Sequence, residues 1–208
     1  METSVAPGPR ERLLTAAREL TYAHGVGIGI DAILREADVA RRSLYHHFGG
    51  KDGLIAEVLH AGALTSIAHY RETMDAAGSD PRTRLLAVFD ELHNVSTSES
   101  FRGCRFTAAD LALADPDHPA HAETLAYRKT VLEFLSSELR ALKHPAPERG
   151  ANQLYVLIDG VLVAGATRPD SNAAHDIRAL AEYVLDGSMP LETGALRPVG
   201  SRRDRSPR

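Results

Sequence analysis

The segment that most constrains the fold of this chain is residues 29–51, where two apolar patterns of helical spacing flank a three-residue break. Side chains three or four positions apart lie on one face of a helix, so each pattern predicts a short helix with one buried face. The apolar residues are Ile30, Ile33, Leu34 and Ala37 in the first pattern and Leu44 and Phe48 in the second. The break is Asp38-Val39-Ala40, a length that turns one helix across another, with Val39 placed to fill the corner. The sequence therefore predicts a helix-turn-helix whose two helices share one small core.

The outer surface of the second predicted helix carries hydrogen-bond donors and no carboxylate. Arginine can donate two hydrogen bonds to guanine O6 and N7, serine can bind a base edge or a phosphate, and tyrosine and histidine can donate to phosphate oxygens. Lys51 follows the glycine pair at 49–50 and begins a third helix, whose free N-terminal amides also favour phosphate. We call these groups the recognition surface and predict that they bind DNA: Arg41, Arg42, Ser43, Tyr45, His46, His47 and Lys51. The alternative is a solvated amphipathic helix pair without a ligand.

Three strings in this region resemble the N-terminal domain of TetR-type (TetR/AcrR) transcriptional regulators, a resemblance that covers residues 25–58. They are Ala37-Asp38-Val39-Ala40, Leu44-Tyr45-His46-His47-Phe48 and Lys51-Asp52-Gly53-Leu54. The preceding apolar pattern over residues 11–23, with Gly25 after it, is similar to the family's first helix and its end. The resemblance implies an all-α fold, in which a three-helix DNA-binding domain precedes a larger helical domain for regulation and dimerisation. It further implies that Arg41, Arg42, Ser43 and Tyr45 face the major groove, whereas Tyr45, His46, His47 and Lys51 hold phosphates.

The chain departs from the family pattern at three positions of this motif. Gly29 stands where the family usually caps its second helix with Thr or Ser, and Ala40 stands where it usually has a polar cap. Asp38 stands in the turn, where the family usually has Gly. Each missing cap removes about 0.5–2 kcal/mol of helix stability unless another group replaces it.

The composition is that of a globular chain that can bury one sizeable core and one smaller core. The chain has 208 residues, 43% apolar content and one cysteine, Cys104, which excludes an intrachain disulfide. The net charge of −4 does not exclude DNA binding, because phosphate affinity depends on where the cations lie. No stretch approaches the ~20 apolar residues that span a bilayer, and the N-terminal segment lacks the apolar core of a signal peptide. We therefore expect a cytoplasmic protein that has no membrane contact.

Apolar residues recur at helical spacing through the rest of the chain, and no alternating strand pattern competes with them. The predicted helices cover residues 54–74, 82–95, 106–113, 119–142, 149–166 and 173–185. We expect a disordered N-terminus at residues 1–9, a helix-turn-helix domain at 10–56, a ligand-binding and dimerisation domain at 57–190 and a disordered basic tail at 191–208. The tail either adds nonspecific attraction to DNA or has no function of its own.

The last two predicted helices are apolar on several faces, which indicates burial on more than one side. Intrachain packing explains part of this pattern. A four-helix contact between two chains also explains the small residues among them, and the family resemblance places the dimer interface here. The predicted interface residues are Leu154, Leu157, Ile158, Val161, Leu162, Gly165, Leu180, Tyr183 and Val184. A symmetric dimer would present two recognition surfaces to successive major grooves of a palindromic operator.

The resemblance also implies a regulatory cavity among the middle helices, for a modest-sized and largely apolar effector. The predicted lining residues, each of which can also be ordinary core, are Phe89, His93, Phe101, Cys104, Phe106, Leu111, Tyr127, Val131, Phe134 and Tyr155. Cys104 lies between Arg102 and Arg105, an environment that activates thiols toward oxidants and electrophiles and so favours a redox-sensing repressor of the same fold. The alternative is a buried cysteine that acts as a small hydrophobic residue.

Metal and catalytic sites have little support in the sequence. Asp115, Asp117, His118 and His121 are potential metal ligands, but neighbouring prolines and a helix start explain the acids as capping groups, so we predict no metal and no cofactor. An enzyme would need a pair such as Asp159 with a histidine, yet the chain has no phosphate-binding glycine loop, nucleophile elbow or HExxH pair. We therefore predict a homodimeric repressor that an unidentified small-molecule effector releases from operator DNA. A DNA-binding dimer without a ligand and a helical enzyme without a DNA target are the alternatives.

Overall fold

The fold was analysed in a computed structural model, which describes residues 6–168 and 173–187. Within these ranges the regular structure is all α-helical, as predicted. The helices are α1 Pro9–His24, α2 Ile30–Ala37, α3 Arg41–Phe48, α4 Lys51–Ala76, α5 Pro81–Ser96, α6 Arg105–Ala112, α7 Ala120–Ala141, α8 Pro147–Thr167 and α9 Ala173–Leu185. No helix in the described part of the chain combines the length and the apolar character that crossing a bilayer requires.

The helix bounds confirm the predicted elements to within a few residues, with one correction at the N-terminus. Pro9 was predicted to be disordered, but it is the first residue of α1. Proline suits this position because its fixed φ is already helical and the amide that it lacks would have had no partner. Residues 1–5 and the predicted tail at 191–208 lie outside the described residues.

A small core joins α1, α2, α3 and the beginning of α4. Its fully buried members include Leu13, Ile33, Leu44 and Leu54, and Val39 packs against them from the turn between α2 and α3. Each short helix buries only one stripe of side chains, so none of the three is stable without the others. This core fixes the orientation of α3 relative to α1.

A larger core joins α4 to α9 and contains the buried residues Phe89, Leu135 and Leu154. The helix α4 contributes to both cores, because Leu54 and Val58 pack in the small core whereas Ile55 and Leu59 pack in the large one. The two cores therefore meet along one continuous helix of 26 residues, and a rotation of α4 moves both.

The apolar faces of α8 and α9 are divided between this core and the surface. Five of the predicted interface residues are buried within the single chain and are core residues: Leu154, Ile158, Val161, Leu162 and Val184. Gly165 also serves intrachain packing, because a Cβ built on it would lie 2.7 Å from the carbonyl oxygen of Ser96 on α5. The helix α8 therefore approaches α5 where the sequence analysis expected the approach of a second chain.

Candidate nucleic-acid interface and ligand cavity

The recognition surface lies on the solvent side of α3, opposite the buried Leu44. Arg41, Arg42, Tyr45, His46 and His47 are exposed, and Tyr45 keeps 54% of its surface accessible. Ser43 and Lys51 are half-buried. Because Tyr45 is exposed, it does not serve the packing of the core. The arginine and histidine side chains around it are cations or hydrogen-bond donors, so the arrangement suits contact with a polyanion.

Three members of the recognition surface, Arg41, His46 and His47, contact other side chains of the chain. Arg41 forms an ion pair with Asp31 in the first turn of α2, with 2.5 Å between the guanidinium and carboxylate atoms. The rings of His46 and His47 meet edge to face with their centroids 4.9 Å apart. Within the described ranges, Arg42 and Lys51 have no ion-pair partner. Asp31 was missed by the sequence analysis, which considered only the second helix of the motif.

The turn between α2 and α3 explains how the chain tolerates aspartate in place of glycine. Asp38 adopts a left-handed conformation, with φ 48° and ψ 54°, which glycine adopts without strain and aspartate tolerates better than most residues. Its carboxylate lies 3.4 Å from the guanidinium of Arg12 on α1. Neither Gly29 nor Ala40 supplies a side-chain cap, as predicted from the sequence.

The glycines after α3 set how closely the recognition helix approaches α4. Gly49 and Gly50 have φ values of 72° and 149°, which side chains rarely adopt. At Gly53 the requirement is steric, because a Cβ would lie 2.0 Å from the carbonyl oxygen of Phe48. The sequence analysis quoted Gly53 as part of a family string and gave no reason for it.

The side chain of Arg10 connects α1 to α3 and α4. Its guanidinium lies 2.5 Å from a carboxylate oxygen of Glu57 on α4 and 5.5 Å from the ring centroid of Phe48 at the end of α3. One cationic side chain of α1 therefore contacts both α3 and α4. Arg10 and Glu57 are 47 positions apart, so no local pattern in the sequence indicates the pairing.

A cavity of about 180 Å³ lies between α4, α5 and the start of α6, and we call it the α4–α6 cavity. Four of the predicted ligand residues line it: Phe101, Cys104, Phe106 and Tyr127. The sequence analysis missed other lining residues, which are Tyr22, Ser66, His69, Tyr70, Glu91, Leu92, Val95, Gly103, Arg105 and Leu162. Tyr22 comes from α1, outside the middle helices considered, and several of the other residues are polar, whereas the prediction took mainly apolar and aromatic residues.

The other predicted ligand residues lie elsewhere. Phe89 and Val131 are fully buried in the large core and do not line this cavity. Phe134 packs against Tyr70 with a centroid distance of 5.8 Å. His93 lies beside His175 of α9, with 6.4 Å between the ring centroids. Leu111 was a wrong expectation, since 84% of its surface is exposed on the outer side of the short helix α6.

Tyrosine hydroxyls and an arginine form a polar group next to the cavity. Burial raises the pKa of Tyr70 to about 12, and its hydroxyl is hydrogen-bonded to Tyr127, whose pKa burial also raises. Tyr127 stacks on Phe106 with 3.8 Å between ring centroids. Tyr155, the last of the predicted ligand residues, is hydrogen-bonded to Arg128, and burial raises the pKa of this tyrosine to about 12. All three hydroxyls therefore stay neutral near pH 7.

The acids and histidines between α6 and α7 have partners within the chain. The side chain of Asp115 accepts a hydrogen bond from the backbone amide of Asp117 within the loop before α7. Contrary to the prediction, neither acid caps the helix, because α7 begins at Ala120 and its N-cap, Pro119, has no side-chain cap. His118 Nδ1 accepts from the amide of Ala120, and His121 Nδ1 lies 2.8 Å from Asp110. Across residues 6–168 and 173–187, no three histidine, cysteine or acidic side chains are placed to hold a metal ion together.

The surface of α8 and α9 carries an apolar groove of about 640 Å³. Four of the predicted interface residues line it: Leu157, Leu180, Tyr183 and Val184. Val156, which was not predicted, also lines the groove and is 68% exposed, while Tyr183 is 62% exposed. Gly160 has open space around it on the same helix. We call this groove and its rim the α8–α9 face.

Comparison with known proteins identifies the same architecture. The sequence model described as "Bacterial regulatory proteins, tetR family" matches residues 13–58, which contain α1 to α3 and the beginning of α4. The "HTH-type transcriptional regulator YjdC" of Escherichia coli K12 is 23% identical over 191 residues, which are 90% of this chain and 98% of that protein.

Two solved structures are similar over nearly their whole length. The tetR-type transcriptional regulator sav143 from Streptomyces avermitilis MA-4680 is 32% identical with a TM-score of 0.77, over 86% of this chain and 97% of that one. SCO4454, a TetR-family transcriptional regulator from Streptomyces coelicolor, is also 32% identical, with a TM-score of 0.74 over 86% and 94% of the two chains. The exposed donors on α3, the left-handed turn before it and this similarity lead to one conclusion: the chain belongs to the TetR family of transcriptional regulators.

Proposed function

We propose that this regulator is a homodimeric repressor that binds a palindromic operator through α3 and leaves it when a small molecule binds within the helical body. The observation that carries the proposal is the exposed recognition surface, in which five donor side chains project from one helix that a buried leucine fixes in place. Such a surface provides donors for both base and phosphate contacts.

The residues of the recognition surface divide by their place on α3. Arg41 and Arg42 are in the first turn, where side chains of a recognition helix reach base edges, with Ser43 and Tyr45 beside them. His46, His47 and Lys51 lie toward the end of α3 and the start of α4, where they would hold the phosphate backbone. We assign the DNA-binding domain to residues 10–56 and the regulatory domain to residues 57–190, with α4 shared at the boundary.

The α8–α9 face is the proposed contact between the two chains. A groove lined by Val156, Leu180 and Tyr183 exposes more apolar surface than solvent-facing helices usually do. The open space at Gly160 allows a second helix to approach closely. Of the interface residues predicted from the sequence, we retain Leu157, Leu180 and Tyr183, which the single chain does not bury.

The α4–α6 cavity is the proposed effector site. Its volume of about 180 Å³ is below the ~300 Å³ at which pockets for drug-sized ligands begin, so the effector is small. Aromatic residues such as Phe101, Phe106 and Tyr127 line it, which favours a largely apolar molecule. An effector releases DNA only to the extent that it binds the non-operator conformation better than the operator-bound one.

A catalytic function has no comparable support. Asp159, the acid considered for acid–base chemistry, has a pKa raised by burial, and its hydrogen-bond partner is the hydroxyl of Thr107 at 3.4 Å. We therefore propose a regulator without enzymatic activity. Cys104 lines the effector cavity, so a thiol-dependent response remains the alternative within the same fold.

The proposal is tested by selecting bound duplexes from random or genomic DNA with the purified protein at two salt concentrations. We expect a palindromic motif whose half-sites are about one helical turn apart. Arg42→Ala should weaken binding to this motif more than binding to unrelated DNA, whereas Lys51→Ala should weaken both and reduce the salt dependence. Lys129→Ala, on the exposed side of α7, is the matched control and should change neither. Recovery of salt-sensitive background without a motif, or equal effects of the two variants on every sequence, would contradict the assignment.

A further inference from the structure

Arg105 occupies a position that neither the recognition surface nor the dimer contact explains. It is the first residue of α6 and lines the α4–α6 cavity. It also lines a second cavity of about 240 Å³, which lies between α1, α4 and α6 and includes Val26 and Leu59. One half-buried guanidinium therefore separates two cavities, one within the helical body and one against the DNA-binding helices.

The side chain of Arg105 passes close to a glycine of α4. A Cβ built on Gly62 would lie 3.1 Å from Cδ of Arg105 and 3.4 Å from its Nη1. Gly62 is buried, so the arginine stem crosses α4 where another residue would crowd it. Beyond α4, the guanidinium lies over the ring of Tyr22 on α1, 5.1 Å from the centroid.

The guanidinium of Arg105 has no acidic partner in the part of the chain that the structure describes. Two charged side chains near it, Glu91 and Arg102, have partners of their own. Glu91, at the edge of the cavity, lies 2.9 Å from Nε2 of His69. Arg102 donates to the carbonyl oxygens of Glu99 and Phe101. A half-buried cation stacked on one aromatic ring and lacking a carboxylate favours binding of an anion that supplies one.

We propose that the effector is a small aromatic carboxylate, whose carboxylate pairs with Arg105 and whose ring lies among Phe101, Phe106 and Tyr127 in the α4–α6 cavity. This proposal rests on the proposed function and specifies the chemistry of its effector. The planar fork of one guanidinium matches one carboxylate in a bidentate pair. A dianion such as phosphate would leave a second charge in a cavity that has one unpaired cation and is otherwise mainly apolar.

The same residues connect the cavity to the DNA-binding helices. The backbone amide of Arg102 donates to the hydroxyl of Tyr22 at 3.1 Å, and Arg105 covers the ring of that tyrosine. A carboxylate in the cavity would draw the guanidinium away from Tyr22, because the ion pair is stronger than the contact with the ring. The acid would thereby loosen the attachment of α1 to α6. It would then bind the conformation with the loosened contact, which does not bind the operator, more tightly than the operator-bound conformation.

The test compares acids with neutral molecules of the same shape on the full-length protein. Benzoate, phenylacetate and 3-phenylpropionate are each titrated by calorimetry beside the matching primary amide, with wild-type protein, Arg105→Gln and the control Arg102→Gln. We expect at least one acid to bind about tenfold more tightly than its amide. The preference for the acid should disappear in Arg105→Gln and persist in Arg102→Gln, while circular dichroism reports that both variants stay folded.

Three results would overturn the proposal: no acid binds, an amide binds as well as its acid, or the acid preference survives in Arg105→Gln. The selected operator duplex is measured in parallel, so that failure of this inference is distinct from failure of the proposed function. If a neutral compound releases the protein from its operator, the repressor assignment stands and the proposal of a carboxylate effector is overturned. If the acid lowers operator affinity in the wild-type protein but not in Arg105→Gln, the result supports both the repressor assignment and the carboxylate effector.

Discussion

Replacing Gly53 with alanine tests whether α3 and α4 lie so close together that only glycine fits between them. Inside a helix this change ordinarily stabilises by about 0.5–1 kcal/mol, because glycine loses more backbone freedom on folding. Here the added Cβ would lie 2.0 Å from the backbone oxygen of Phe48. That oxygen would have to retreat by about 1 Å merely to reach the shortest separations that Cβ atoms tolerate, and no rotamer change relieves a clash with backbone.

Overpacking of this kind costs about 1–3 kcal/mol, so we expect a net loss of roughly 2 kcal/mol in the stability of the small core. Because α3 would move, we also expect loss of at least one base contact, and each bidentate contact contributes about 1–3 kcal/mol of discrimination. Specific affinity should therefore fall by about tenfold or more. Hydrogen exchange in α2 and α3 reports the first effect, and titration of the selected operator reports the second.

Gly27→Ala is the control for this experiment, because a Cβ at Gly27 has nothing within 4 Å and its φ lies outside the range that disfavours side chains. We expect Gly27→Ala to leave both exchange and operator affinity close to wild type. If Gly53→Ala behaved like Gly27→Ala in both assays, the close approach of Phe48 to α4 would be refuted. The argument that Gly53 sets the position of α3 would then also be refuted.

Three further predictions concern other contacts. Asp31→Asn should reduce discrimination at the base that we propose Arg41 contacts while raising affinity for unrelated DNA, because the Asp31 carboxylate would orient the Arg41 guanidinium and repel phosphate. Sequence selection with the variant measures this, and a uniform rise in affinity on all sequences would contradict the orienting role. Tyr183→Glu should convert the dimer to monomers in sedimentation experiments, since it places a charge in the α8–α9 face, and an unchanged sedimentation coefficient would exclude that face. The hydrogen bond to Asp110 raises the pKa of His121, so this pair stabilises the fold fully below pH ~6.5, and the stabilisation is lost as pH rises through the raised pKa. The Tm difference between wild type and His121→Gln should therefore shrink from pH 6 to pH 8, and a difference independent of pH would contradict the pairing.

The sequence predicted elements whose signal is local. The spacing of Ile33, Ala37 and Leu44 defined α2 and α3 because each helix has one buried face and a break of fixed length. The exposed donors of α3 followed from the same periodicity, since residues between apolar positions must face outward. The absence of capping side chains at Gly29 and Ala40 was also visible, because a cap depends on residue type at a known position.

Features that depend on distant parts of the chain were not predictable. Tyr22 and Arg105 are 83 positions apart, and each was a plausible surface or core residue in isolation. The apolar residues of α8 were assigned to a dimer contact because composition does not distinguish a partner chain from α5. Only the packing shows that Ile158 points inward and Val156 outward, on opposite faces of the same helical turn.

Two histidine–carboxylate pairs join α4 to the segment formed by the α6–α7 loop and α7. His118 accepts a hydrogen bond from the amide of Ala120 at Nδ1, so the neutral ring carries its proton on Nε2, which lies 3.4 Å from the carboxylate of Asp52. Further along α4, Nδ1 of His60 lies 2.9 Å from Glu123 on α7. The loop after α6 therefore contacts Asp52, next to Lys51, so displacement of α6 by a ligand would reach the start of α4, which we propose to bind phosphate, as well as α1.

The energy required for switching indicates why a dimer suits this arrangement. Shifting a two-state equilibrium from 1:99 to 99:1 requires a differential binding energy of about 5.5 kcal/mol. A charge-assisted hydrogen bond contributes roughly 1.5–3 kcal/mol, so one carboxylate on one Arg105 changes the populations without completing the switch. Two equivalent sites in a symmetric dimer act on the same conformational equilibrium, and their contributions together reach about 3–6 kcal/mol. A protein of this design should therefore respond to its effector cooperatively, and a dimer with Arg105→Gln in only one chain should release its operator incompletely even at saturating acid.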